Sequence, residues 1–381
     1  MRTLLLAAAH ALLLQGLAPG HSAFAAQTDA PAAPRTAVKV ETVAKGLTHP
    51  WGLQFLPDGR MLVTERPGRL RIVARDGTLS PVIAGVPKVH ASGQGGLLDV
   101  ALAPDFATSQ EIFFAFAEPS EGGANGTSVA SGRLELSGSG GSLANVRVIF
   151  RQQPSFASNL HFGSRIVFAE DGTFYLTVGD RYTQKQEAQI PSNHIGKIMR
   201  LNRDGTPFAG NPKLPGWDAA VWSIGHRNVQ GAARHPETGE LWTVEHGARG
   251  GDEVNRVRKG LNYGWPVITY GIDYSGAKIG EGTTKAGMEQ PLYYWDPSIA
   301  PSGAAFYTGT LFPAWRGNLL VGGLAAQQLS RLVLEGERIV AEERLLVDLG
   351  ARIRDVRMGP DSAVWVLTDH TDGRILRLVP G

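Results

Sequence analysis

Residues 53–65 read LQFLPDGRMLVTE: an alternating apolar run, the turn Pro57-Asp58-Gly59, and a second alternating run that ends on an acid, Glu65. A two-residue period is that of a strand, and Pro-Asp-Gly favours a tight reversal, so the segment predicts an antiparallel hairpin. The same pattern returns along the chain. It spans residues 97–116 around Pro104-Asp105, 166–180 around Glu170-Asp171-Gly172, 231–245 around Pro236-Glu237-Thr238-Gly239, 304–322 around Pro313-Ala314-Trp315-Arg316-Gly317, and 356–369 around Pro360-Asp361. Runs such as Phe174-Tyr175-Leu176-Thr177-Val178 are rich in strand formers, and no long 3.6-residue period competes with them. Propeller blades take about 40–50 residues for four strands, so the wider intervals between turns carry inserted loops on one face. The predicted fold is all-β, a six-bladed β-propeller of four-stranded antiparallel blades. A pair of β-sandwiches or a β-barrel is the competing architecture, and copies in similar phase count against it.

Outside the repeats the chain carries other signals. Arg2 precedes the apolar run Leu4 to Leu14 and a polar stretch closing on Ala23-Phe24-Ala25, the pattern of a signal peptide. That run is shorter than the roughly 20 apolar residues a spanning helix needs. The expected organisation is a signal peptide at 1–25, a flexible Ala/Pro-rich leader at 26–39 and one propeller domain at 40–381, in a periplasmic protein without membrane insertion. With no cysteine, neither a disulfide framework nor a lipidated N-terminal cysteine is available. The lack of a twin-arginine pair predicts export before folding, with any cofactor added afterwards. A formal charge of +2 leaves no basic footprint for a nucleic acid, and 48 Gly with 23 Pro accord with many turns.

The innermost strand of each blade lines the central channel, so residues at its entrance converge on one mouth. Gln94, His161, Arg227, Arg352 and Arg354 all lie at a similar distance upstream of their turns. Burying five such groups together is costly unless a ligand or ion completes their hydrogen bonds. Each alone has a structural reading: His161 as a hydrogen-bonded histidine, Arg352 and Arg354 as outward strand residues near Asp355, Gln94 as a turn residue. A second constellation is Glu245-His246-Gly247-Ala248-Arg249-Gly250-Gly251-Asp252-Glu253, followed by Asn262-Tyr263-Gly264-Trp265-Pro266. Carboxylates beside glycines suit calcium, which takes oxygen ligands from side chains and backbone carbonyls; an acid-rich surface turn is the alternative. No His/Cys spacing for zinc and no nucleophile elbow is present.

These motifs, taken in order, resemble the soluble pyrroloquinoline quinone (PQQ)-dependent sugar dehydrogenases, the glucose/sorbosone and aldose sugar dehydrogenases. The likeness covers about residues 40–379. It is carried by residues 93–99 (GQGGLLD), 161–165 (HFGSR), 225–231 (GHRNVQG), 251–255 (GDEVN), 262–266 (NYGWP) and 352–356 (RIRDV). The resemblance implies PQQ across the channel mouth, contacted by Gln94, Arg227, Asn228, Gln230, Arg352, Arg354 and Tyr274. It implies a calcium ion held by the carbonyls of Gly247 and Ala248, a second at Glu253 and Tyr263, and His161 as general base with Arg227 assisting. The implied reaction is oxidation of an aldose at its anomeric carbon to a lactone, with a quinone or small redox partner as electron acceptor. Family members commonly carry a cofactor-contacting Lys where this chain has Ala325 in Gly322-Gly323-Leu324-Ala325, with Gln327 and Gln328 nearby. A binding propeller that has lost its cofactor is therefore one alternative, and a calcium-dependent lactonase another.

Overall fold

The computed structural model describes residues 28–381; the signal-peptide reading of residues 1–25 lies outside them. Each sequence repeat is the inner hairpin of one sheet. The inner strands are Pro50–Phe55, Leu97–Leu102, Ile166–Phe168, Val229–Arg234, Pro301–Phe306 and Ile353–Met358. Each pairs antiparallel with the strand that follows its turn, and six sheets result, giving the six-bladed propeller. The blade that begins at Pro50 has three strands, its fourth position reduced to a bridge between Val73 and Leu79.

The ring closes through chain termini. The blade of Ile353–Met358, Val364–Thr368 and Gly373–Pro380 takes Val38–Leu47, the first strand among the described residues, as its outer edge. Just ahead of that strand, Ala33 donates to the Glu342 carbonyl at 2.9 Å and Glu342 to that of Pro31 at 3.0 Å, tying the Ala/Pro-rich segment to a neighbouring blade. Second strands such as Phe174–Val178 are buried throughout because blades pack face to face. Phe113 of one blade meets Phe174 of the next at 5.6 Å between ring centres.

Around the axis the inner strands approach more closely than side chains allow. A Cβ on Gly231 would lie 2.1 Å from the Ser302 carbonyl oxygen, and one on Gly303 would lie 2.2 Å from Asp355 Oδ1. Charged side chains meet there across the axis. Arg165 Nη1 sits 2.8 Å from Asp99 and 3.2 Å from Asp355, while Arg357 reaches the same two carboxylates at 2.9 and 2.8 Å. The connections at 181–196 and 258–292 reach the mouth above this plug. Among the described residues no helix is long and apolar enough to cross a membrane.

Candidate active site

Four repeats end on an acid at the same mouth as the inner-strand entrances, Glu65, Asp180, Glu245 and Asp369, and three of these acids receive an imidazole. His49 Nδ1 is 2.7 Å from Asp369, His161 Nδ1 is 2.6 Å from Asp180, and His226 Nδ1 is 3.0 Å from Glu245. The His161 pair is the one whose imidazole adjoins the arginines.

His161 has φ 53°, an uncommon conformation for a residue with a Cβ, and is 5% exposed. Its N–H donates to Gln94 Oε1 at 2.8 Å, which joins two blades. Asp180 is held by Trp265 Nε1 at 2.8 Å and the Tyr182 N–H at 2.8 Å. Burial alone would raise the Asp180 pKa, but the bond from His161, together with the charges of His161 and Arg227, outweighs it and keeps the carboxyl low. For His161 the order reverses. Burial, helped by the charges of Arg227 and Arg181, holds the imidazole below its ordinary value despite Asp180. An ionised Asp180 assigns the proton to Nδ1 and leaves Nε2 as a free base.

The cations gather beside it. Arg227 donates its backbone N–H to Glu245 at 2.7 Å and Nη1 to the His246 carbonyl at 3.2 Å, with its guanidinium 5.1 Å from the centre of the Trp265 ring. Asn228 Oδ1 accepts from the Gly163 N–H at 3.1 Å. Arg354 donates to Gln230 Oε1 and Asp369 Oδ2, both at 2.7 Å; Arg352 lies 3.7 Å from Asp369 and donates to the Leu324 carbonyl at 3.2 Å. His246, partly buried among them, is pulled well below the ordinary imidazole value first by desolvation and then by Arg227, His161 and Arg354, so one ring senses all three. Tyr274 stands apart, 58% exposed and outside this hydrogen-bonded set.

Does such a mouth fit an anionic quinone? Arg227 Nε and Asn228 Nδ2 are buried donors without an acceptor. Among the described residues, the one carboxylate in ion-pair contact with the guanidinium groups of Arg227, Arg352 and Arg354 is that of Asp369, which His49 also engages. Unsatisfied donors and surplus positive charge fit a planar ligand bearing several carboxylates.

For a metal, among the described residues no three His, Asp or Glu side chains cluster at ligating distance, which leaves backbone carbonyls as the source of ligands. The Gly247 N–H is fixed by Asp252 at 2.8 Å, a Cβ there would meet the Gly250 carbonyl at 2.2 Å, and Ala248 bridges to Gly250, so the Gly247 and Ala248 carbonyls lie on a tight turn. These carbonyls fit a hard cation. Glu253 is different. Burial and the neighbouring Glu245 carboxylate push its pKa up to about 8, and Asn255 Nδ2 bridges both acids at 3.0 and 3.2 Å. The Tyr263 hydroxyl is committed to the Arg256 carbonyl at 2.7 Å and the Arg258 N–H at 2.8 Å, so only its backbone remains for a metal.

The sequence motifs contain Trp265 and His246 without assigning either a role, and they single out neither Asp180 nor Asp369. A signal for the acids was present: Glu65, Asp180, Glu245 and Asp369 all end a repeat. What was missing was the pairing of Asp180, Glu245 and Asp369 with imidazoles from elsewhere in the chain.

Comparison with known proteins gives a family and relatives that span most of the chain. The family model for Glucose / Sorbosone dehydrogenase matches residues 47–377. The aldose sugar dehydrogenase YliI of Escherichia coli strain K12 is 45% identical over 92% of this chain and 94% of its own length. The apo structure of the soluble aldose sugar dehydrogenase from Escherichia coli superposes with a TM-score of 0.87 at 44% identity, covering 90% of this chain and 100% of that one. The PQQ-bound aldose sugar dehydrogenase of Streptomyces coelicolor gives 0.77 at 31% identity, over 91% and 99%.

Proposed function

This chain belongs to the glucose/sorbosone dehydrogenase family and is an oxidoreductase, and from that premise we propose that it oxidises aldoses at the anomeric carbon to lactones, using PQQ and calcium, in the periplasm. The observation that carries the reading is the His161–Asp180 pair at 2.6 Å beside an arginine-lined mouth. His161 Nε2 accepts the proton of the anomeric hydroxyl, and Asp180 stabilises the imidazolium that forms. Arg227 supplies fixed positive charge where negative charge develops during the transfer. Arg352 and Arg354 would hold carboxylates of the cofactor, with Gln94, Asn228 and Gln230 contributing polar contacts. When bound, PQQ supplies the two-electron acceptor and a calcium ion on the Gly247 and Ala248 carbonyls supplies Lewis-acid polarisation. Glu253 and Tyr263 would hold a second, structural calcium ion. The electron acceptor from the bound cofactor would be a quinone or small redox partner.

A lactonase of the metal-plugged kind would need free carboxylates on the axis. Asp99 and Asp355 are engaged there by Arg165 and Arg357, which disfavours it. The test is reconstitution of the apoprotein with PQQ and calcium, followed by glucose and a dye acceptor. Dye reduction that disappears in His161→Ala while the quinone stays bound is the expected result. Failure of the wild-type protein to bind PQQ at micromolar concentration would leave a non-catalytic binding propeller in its place.

A further inference from the structure

Arg66 follows Glu65, the acid that ends the first repeat, and its backbone is fixed on both sides. Its N–H donates to the His49 carbonyl at 3.0 Å and its carbonyl accepts from Leu97 at 3.1 Å. The side-chain stem lies against Gly96, where an added Cβ would come within 2.7 Å of Arg66 Cγ. Arg66 thus stands between the Gln94 turn and the Asp369 carboxylate that His49 pairs with at 2.7 Å.

Among the described residues, no hydrogen bond or ion pair reaches the Arg66 guanidinium, although the residue is half-buried. The charges it senses are those of Asp369, Arg354 and Arg352, and burial with the two like charges draws its pKa down. Asp369 is already occupied by Arg354 at 2.7 Å and by His49. A partly desolvated cation added to a cluster whose one carboxylate is spent destabilises the apoprotein, unless an anion arrives to complete it.

We propose that Arg66 is a further anion-binding residue of the mouth, holding a carboxylate of the bound quinone from the side opposite Arg227. The proposal rests on the PQQ reading above and extends it to a blade that no sequence motif of the site covers. It also accounts for the cation deficit at position 325. Ala325 is exposed and follows Leu324, whose carbonyl is 3.2 Å from Arg352 Nη1, so a lysine at 325 would enter the same patch.

The experiment is titration of apoprotein with PQQ in calcium buffer, read by quenching of tryptophan fluorescence, alongside thermal unfolding without PQQ. Arg66→Gln is expected to weaken PQQ binding by about 10–100-fold, the loss of one charge-assisted contact, while the apoprotein melts at the wild-type temperature or above it. Adding Ala325→Lys to Arg66→Gln is expected to recover most of the lost affinity. Equal PQQ affinity in wild type and Arg66→Gln overturns the assignment, and so does a markedly lower melting temperature, which would make Arg66 a structural residue. If the wild-type protein itself ignores PQQ, the cofactor reading fails, and that outcome is distinguishable because no variant is needed to see it.

Discussion

Asp180 decides which nitrogen of His161 carries the proton, and that choice separates a base from a bystander. Replacing Asp180 with Asn keeps the shape but offers an amide that can hold the wrong tautomer. Asp180→Asn is expected to lower kcat by about 10²–10⁴-fold with little change in KM, measured by dye reduction on reconstituted protein. A fall in affinity with kcat intact would remove Asp180 from the proton path. Because burial places the His161 pKa below 6.5, the acid limb of kcat/KM should lie below that value. The stability sign follows: the neutral imidazole's contribution is complete above the unfolded pKa and is lost as pH falls through the lower, folded one. A pH–rate profile whose acid limb sits at or above 6.5 would contradict the burial argument.

At the level of elements, the hairpins set where the entrances lie, but the connection at 181–196 aims the catalytic pair. Lys197 opens the strand Lys197–Leu201 and is wholly buried, with Nζ donating to the carbonyls of Glu187 at 2.8 Å, Ala188 at 3.1 Å and Ile195. Burial brings its pKa down to about 7. Gln189, on the loop so held, donates to the Trp265 carbonyl at 2.7 Å, and Trp265 in turn holds Asp180. Lys197→Met keeps the stem and removes the donor, orphaning buried carbonyls. It should cost about 1–3 kcal/mol in urea unfolding. No change in the midpoint would mean that water replaces the ammonium without penalty.

On the scale of the whole molecule, two devices hold the ring. One is the outer strand Val38–Leu47, paired antiparallel with Gly373–Pro380 in continuous register from Val38 to Thr42 and with shifts beyond it. The other is the axial set of Asp99, Arg165, Asp355 and Arg357, which bonds blades distant in sequence. Removing one member leaves its partners charged and buried, so Asp99→Ala is expected to destabilise the fold by about 3–5 kcal/mol in denaturant titration. A loss below 1 kcal/mol would show that the plug is solvated and contributes little.

The strand period and the recurring turns alone determined the propeller and its blade number, because hairpins need only local alternation and a reversal. The same phase placed His161, Arg227, Arg352 and Arg354 at one mouth, since equivalent positions of equivalent strands must converge on an axis. Tyr274 shows the limit of that logic: it sits in a long insertion, outside the repeat, and no periodicity places it. Only the tertiary structure decided that Asp180 faces His161, that Trp265 crosses from another blade to hold it, and that the Arg66 guanidinium has no partner among the described residues. Those are contacts between side chains far apart in the chain, set by how loops fold over the ring, and hydrogen-bond geometry of that kind leaves no local pattern to read.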